Sequence, residues 1–141
     1  MRNYVVVAES IRARIFSSQT NLGPLTEIND LVNPAGRLDE KELDADKQGR
    51  GRSSFGSSHA VGKTDITKNH ETVVFAKQIA DYMEEQRVAG NFDGLVLVGS
   101  PQFLGVLRKS LSENCKKMVT KSLDKNLVHA GVDEIREQVT R

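Results

Sequence analysis

The residues best suited to chemistry in this sequence lie between positions 47 and 68. There Gly49-Arg50-Gly51-Arg52-Ser53-Ser54-Phe55-Gly56 joins glycines to two guanidinium groups. Glycines let successive backbone N–H groups point the same way, and arginine adds a forked, charged donor, so the pair of features suits an anion such as a phosphate. From Lys47 to Lys68 five residues are positive and one, Asp65, is negative. The candidate phosphate-binding set is therefore Gly49, Arg50, Gly51, Arg52, Lys63 and Lys68. A flexible, solvated loop is the competing reading of the same composition. The nearby Gly56, Gly62, Lys63 and Thr64 imitate a nucleotide phosphate loop. Five residues separate Gly56 from the Gly-Lys pair where four are needed, and no apolar strand runs into the segment, so that reading is excluded.

A second basic set comprises Arg108, Lys109, Lys116, Lys117, Lys121 and Lys125, opposed by Glu113 and Asp124. Cations near a helix C-terminus complement its dipole. Were this set beside the first, the two would make one face for RNA phosphates, though no aromatic stacking motif accompanies them. His59, His70 and His129 lack metal-ligand spacing, so no metal or cofactor is expected. Lys116 and Lys117 beside Cys115 would lower its thiol pKa, but no base is paired with it, and a small core or surface thiol is the plainer account. Glu9 and Asp93 stand at strand ends, too few for a two-metal nuclease. No catalytic residue is assigned.

The elements that must position these groups follow from periodicity. Residues 4–8 form a β-branched run apolar on both faces, a buried strand. Residues 12–17 and 25–32 give two more strands, joined by short turns into an antiparallel meander. Residues 35–69 lack sustained periodicity and read as a long glycine- and charge-rich loop, with a short helix near 38–45. A helix over 70–88 follows from the stripe of Phe75, Ile79, Tyr82 and Met83, capped by Thr67 or Asn69 and ended at Gly90. Residues 95–98 are an all-apolar strand. The crevice behind it, at Gly99 and Ser100, is where open α/β sheets bind ligands, although Ser100 also suits an N-cap with Pro101 in the first turn. That helix should reach about 114. A fifth strand over 117–123 and a short helix around Val132, Ile135 and Val139 complete the chain. The expected fold is α/β: a mixed five-stranded sheet, antiparallel in its meander and then parallel, with helices on its faces.

A chain of 141 residues fits one domain, 1–141, and with 38% hydrophobic and 28% charged residues it is globular rather than disordered. A net charge of +1 excludes strong non-specific attraction to nucleic acid or membrane. One cysteine rules out an intramolecular disulfide and fits a reducing compartment. The apolar run at 4–8 is too short for a secretory signal, and no segment approaches the roughly 20 apolar residues of a membrane span. No membrane insertion and a cytoplasmic location are expected.

The chain resembles a bacterial family named as proteins required for attachment to host cells. The matching pieces run in order along the chain: Val5-Val6-Val7-Ala8-Glu9, Ala13-Arg14-Ile15-Phe16, Leu31-Val32-Asn33-Pro34 with Arg37, Asp46-Lys47-Gln48-Gly49-Arg50, Phe75-Ala76, Leu95-Val96-Leu97-Val98 and Leu104-Gly105-Val106-Leu107-Arg108. That family is in turn similar to the middle domain of archaeal and eukaryotic peptide-chain release factors. The likeness implies a ribonuclease-H-like sheet and a ribosome or tRNA as partner. In release factors a Gly-Gly-Gln loop before a long helix promotes peptidyl-tRNA hydrolysis. Here Gly49 to Ser54 holds the comparable place without Gly-Gly-Gln, so the glutamine's role does not carry over. The resemblance implies an RNA- or ribosome-associated, non-enzymatic module. The alternatives are a hydrolase of peptidyl-tRNA or a related ester, and a protein-interaction domain acting on attachment indirectly.

Overall fold

The structure, a computed structural model, describes residues 2–20, 23–33 and 52–140, and the side chains of these except 52–69. Five strands form one sheet: β1 (Asn3–Ala8), β2 (Arg12–Ser18), β3 (Thr26–Val32), β4 (Gly94–Gly99) and β5 (Val119–Asp124). Their spatial order is β3-β2-β1-β4-β5. β1 lies antiparallel to β2, with Val6 opposite Ile15, and parallel to β4, with Val6 beside Leu97. β2 and β3 are antiparallel, and β4 and β5 are parallel. The mixed sheet expected from the strand pattern is thus the one found.

The apolar runs take the centre of the sheet because both of their faces are covered. All residues of β1 and β4 are buried. On one face Tyr4, Val6, Ala8, Leu95 and Leu97 meet helix α1 (Arg52–Val88) through Phe75, Ile79 and Met83, and helix α2 (Pro101–Ser110) through Leu104 and Leu107. On the other, Val5, Val7, Phe16, Val96 and Val98 meet Ile135 and Val139 of helix α4 (Val132–Thr140). Each such side chain, fully buried, contributes about 1.5–3 kcal/mol. Arg14 ties the second face to the turn before α4. Its guanidinium donates to the carbonyls of Val128 (3.0 Å) and Ala130 (2.7 Å), pairs with Glu27 and lies over the Phe16 ring.

Two helix boundaries differ from expectation. α1 begins at Arg52, not at residue 70, so its backbone takes in residues 52–69 and runs through Thr67 and Asn69 without a cap. The apolar stripe starts only at Phe75, which is why periodicity places the start late. Once a packed nucleus exists, each further residue adds one hydrogen bond, and no proline occurs between Pro34 and Pro101 to stop that propagation. Gly90, with φ of 74°, ends the helix as its glycine predicts. The second difference is that α2 stops at Ser110. Leu111 turns extended, and Ser112 caps a separate one-turn helix, α3 (Glu113–Lys117), by accepting from the Cys115 N–H at 3.0 Å. No described helix is long and apolar enough to cross a membrane.

Candidate functional site

β1 and β4 end side by side, Val7 beside Val98, and their chains then part. β1 turns back into β2, closed by a 2.8 Å bond from the Glu9 N–H to the Arg12 carbonyl. β4 passes through Ser100 into α2, where the Ser100 Oγ accepts from the Phe103 N–H and Pro101 fills the first turn. A cleft of about 650 Å³ opens where the two paths diverge. Its floor requires glycine at position 99. A Cβ there would stand 2.7 Å from the Ala8 carbonyl oxygen and 3.2 Å from Leu104.

Four separate segments line the cleft. The hairpin supplies Glu9 and Ser10, α1 supplies Thr72, α2 supplies Ser100 and Gln102, and the chain after β5 supplies Asn126. Phe103 and Val106 form an apolar wall. Asn33 holds two of these segments together: buried behind the hairpin, its Nδ2 donates to the Ser10 carbonyl at 3.0 Å and reaches the Glu71 carbonyl at 3.5 Å. Glu9 is half-buried; the Arg12 charge lies near its carboxylate, which enters no described side-chain hydrogen bond or ion pair. A second, shallower groove of about 370 Å³ between β3 and α1 carries Asp81 and Glu85, the wrong charge for phosphate.

At the opposite end of the strands the polar groups are paired. The Glu84 carboxylate takes two bonds from the Arg87 guanidinium, at 2.9 and 2.7 Å, and one from the Ser112 hydroxyl at 2.8 Å. Arginine, then serine, holds its pKa down to about 2. Cys115 is buried beside them. Burial first, and the Glu84 charge second, push its thiol pKa up. The lowering expected from Lys116 and Lys117 does not occur, because the thiol turns into the core and away from water. Tyr4 donates to Gln86 at 2.8 Å, Asn91 donates to the same oxygen, and Arg2 pairs with Asp93.

Of the residues singled out by sequence, Gly49, Arg50 and Gly51 lie outside the described residues, as does the short helix expected near 38–45. Arg52, Lys63 and Lys68 belong to the backbone of α1, where a loop was expected. Arg52 lies far from the part of the second basic set around Ser112, whereas Lys125 sits at the cleft end of β5, next to Asn126. Ser112, between α2 and α3, is bonded to Glu84, and Arg52 stands 32 residues before Glu84 on the same helix, roughly 48 Å at 1.5 Å per residue. Much of the second set also serves the fold. Arg108 donates to Ser122, Lys116 pairs with Glu113, Lys121 reaches the Val139 carbonyl and Lys125 reaches Gln138. Glu9 and Asp93 sit at opposite ends of the parallel pair. Among the described residues no three His, Cys, Asp or Glu side chains gather as a metal site would require. Thr72, Gln102, Asn126 and Asn33 carry no pattern that marks them. The one signal for the cleft is Gly99-Ser100-Pro101 after an all-apolar strand.

Comparison with known families adds the decisive observation. The family described as "Protein required for attachment to host cells" matches residues 4–139. The chain belongs to this host-attachment family. The match takes in all five described strands, β1 from Tyr4 onward, and all the segments that line the cleft. This host-attachment protein is also similar to an uncharacterised protein of Rickettsia prowazekii (strain Madrid E), 32% identical over 81 residues. That alignment covers 57% of the present chain and 47% of the relative, less than half of the relative's length.

Proposed function

We propose that this host-attachment protein is a non-enzymatic RNA- or ribosome-associated module, in which Gly49, Arg50, Gly51, Arg52, Lys63 and Lys68 contact phosphates. The observation that carries the reading is where α1 starts. The helix opens at Arg52, directly behind Gly49-Arg50-Gly51, and its first turn holds no acidic residue. A helix N-terminus presents unbonded N–H groups and the positive end of the dipole, and an arginine there adds a forked donor for a phosphate. The resemblance to release-factor middle domains, where a glycine-rich loop precedes a long helix, supports the ribosome or a tRNA as the source of that phosphate. Lys116 and Lys117 of the second basic set take no part, since Ser112 at the start of their helix is bonded to Glu84, toward the other end of α1. A cytoplasmic location accompanies this reading.

Co-sedimentation with ribosomes at low and moderate salt tests it, with the Arg50→Ala/Arg52→Ala double variant alongside. Phosphate contacts release counterions and weaken steeply with ionic strength. Sedimentation that salt reduces and the double variant loses is the expected result. Absence from the ribosome pellet at both salt levels would overturn the reading and favour a protein partner.

A further inference from the structure

The cleft between the ends of β1 and β4 gathers polar side chains that no described side-chain hydrogen bond or ion pair engages. The side chains of Thr72, Gln102 and Asn126 have no described partner, and the Glu9 carboxylate, near the Arg12 charge, takes part in no described side-chain hydrogen bond or ion pair; the four come from four segments to one concavity. Its volume of about 650 Å³ exceeds that of a nucleoside and falls within the roughly 300–1,000 Å³ of small-molecule sites.

Charge narrows the ligand. The lining holds one carboxylate and no described cation, and Arg12, whose charge Glu9 feels, is held by Asp30 through two bonds, so a bare anion is disfavoured and a donor-rich ligand is favoured. A carboxylate offers two acceptor oxygens, which match two hydroxyls on adjacent carbons, whereas hydroxyl and amide side chains both donate and accept and suit further hydroxyls or a base edge. In dinucleotide-binding sheets an acidic side chain serves a ribose hydroxyl in this way, and open α/β sheets in general bind ligands in the crevice at the strand ends. We propose that the cleft binds the ribose of a ribonucleotide, with the Glu9 carboxylate accepting from its vicinal hydroxyls and Thr72, Gln102 and Asn126 completing the polar shell. The apolar wall of Phe103 and Val106 covers the less polar side of the ligand. Ribose reaches such a site as a free mononucleotide or as the 3′ end of an RNA.

Titration calorimetry on the full chain tests the assignment, using AMP and UMP, their 2′-deoxy counterparts, inorganic phosphate, and short RNAs ending in a 3′-hydroxyl or a 3′-phosphate. Ribonucleotides should bind and inorganic phosphate should not. Removing the 2′-hydroxyl, or making Glu9→Gln, should weaken binding at least about tenfold, the loss expected for a hydrogen bond to a charged group. Thr72→Val, checked for unchanged thermal unfolding, should weaken binding without altering the ribose-to-deoxyribose preference. RNA that binds more tightly with a free 3′-hydroxyl assigns the site to an RNA end, and equal affinity of the two RNAs beside mononucleotide binding assigns it to free nucleotide. No binding of any ribose compound, equal affinity for the deoxy compounds, or full binding by Glu9→Gln would overturn the proposal. The ribosome reading is tested through Arg50 and Arg52 and this one through Glu9, so either can fail alone.

Discussion

The two ends of the β1–β4 pair are built from the same kinds of residue and treat them in opposite ways. At the N-terminal end, Arg2 meets Asp93, Tyr4 meets Gln86, and Glu84 is held by Arg87 and Ser112. At the C-terminal end, Glu9, Thr72, Gln102 and Asn126 face a cleft with no described side-chain hydrogen bond or ion pair. The division is not complete: at the cleft end Asn33 is bonded to Ser10 and Arg12 to Asp30. Asn3, at the paired end and on the α4 side, keeps a buried Nδ2 without a partner. The contrast separates two uses of polar groups. Those answered within the chain hold elements together, and those left open around a cavity are available to a ligand.

The contrast would break most visibly at the floor of the cleft. Gly99→Ala places a methyl 2.7 Å from a backbone carbonyl, which only a shift of β1 against β4 relieves. A loss of about 2 kcal/mol in urea unfolding is expected, in the range for overpacked interiors. At the paired end, Tyr4→Phe removes the bond to Gln86 and should cost about 1 kcal/mol by the same measurement.

Glu84 gives the paired end a signature in pH. Its folded-state pKa of about 2 lies below the ordinary 4.5, so its contribution to stability is complete above about pH 4.5 and disappears as pH falls toward 2. Glu84→Gln should therefore lower the urea midpoint at pH 5 and converge on the parent protein near pH 2. A gap that stays constant across that range would show that the carboxylate is not held as described. Cys115 beside it should resist iodoacetamide at pH 8 in the folded protein and react once unfolded, read by mass spectrometry.

The smallest effects belong to the open end. Glu9→Gln, Thr72→Val and Gln102→Ala should each change stability by less than about 0.5 kcal/mol, since no described side-chain hydrogen bond or ion pair is lost and Arg12 keeps Asp30. A larger loss in any of them would mean that the residue braces the fold, and the distinction between the two ends would weaken there.

The strands were legible because burial writes itself into residue type. Val5 to Ala8 and Leu95 to Val98 are apolar on both faces, and only the centre of a covered sheet accommodates that. Ser100-Pro101 and Gly90 announced helix ends through backbone chemistry that needs no distant contact. The start of α1 was not legible, because residues 52–69 extend a helix whose apolar stripe begins at Phe75. The break at Leu111 was missed for a related reason: Leu104, Leu107 and Leu111 keep helical spacing, and it is Ser112 capping a new turn that ends the run.

What the sequence by itself determined is therefore the sheet, its mixed sense and the layers around it, since strand period and β-branched composition depend on local sterics and on burial. The family likeness was legible too, from short pieces in order along the chain. Tertiary structure alone decided which polar residues meet. It set Arg52 far along α1 from Lys116 and Lys117, turned Cys115 inward, and brought residues 9, 72, 102 and 126 to one cleft. Side chains from segments that distant share no spacing that a linear pattern records, and only the packing of helices on a sheet makes them neighbours.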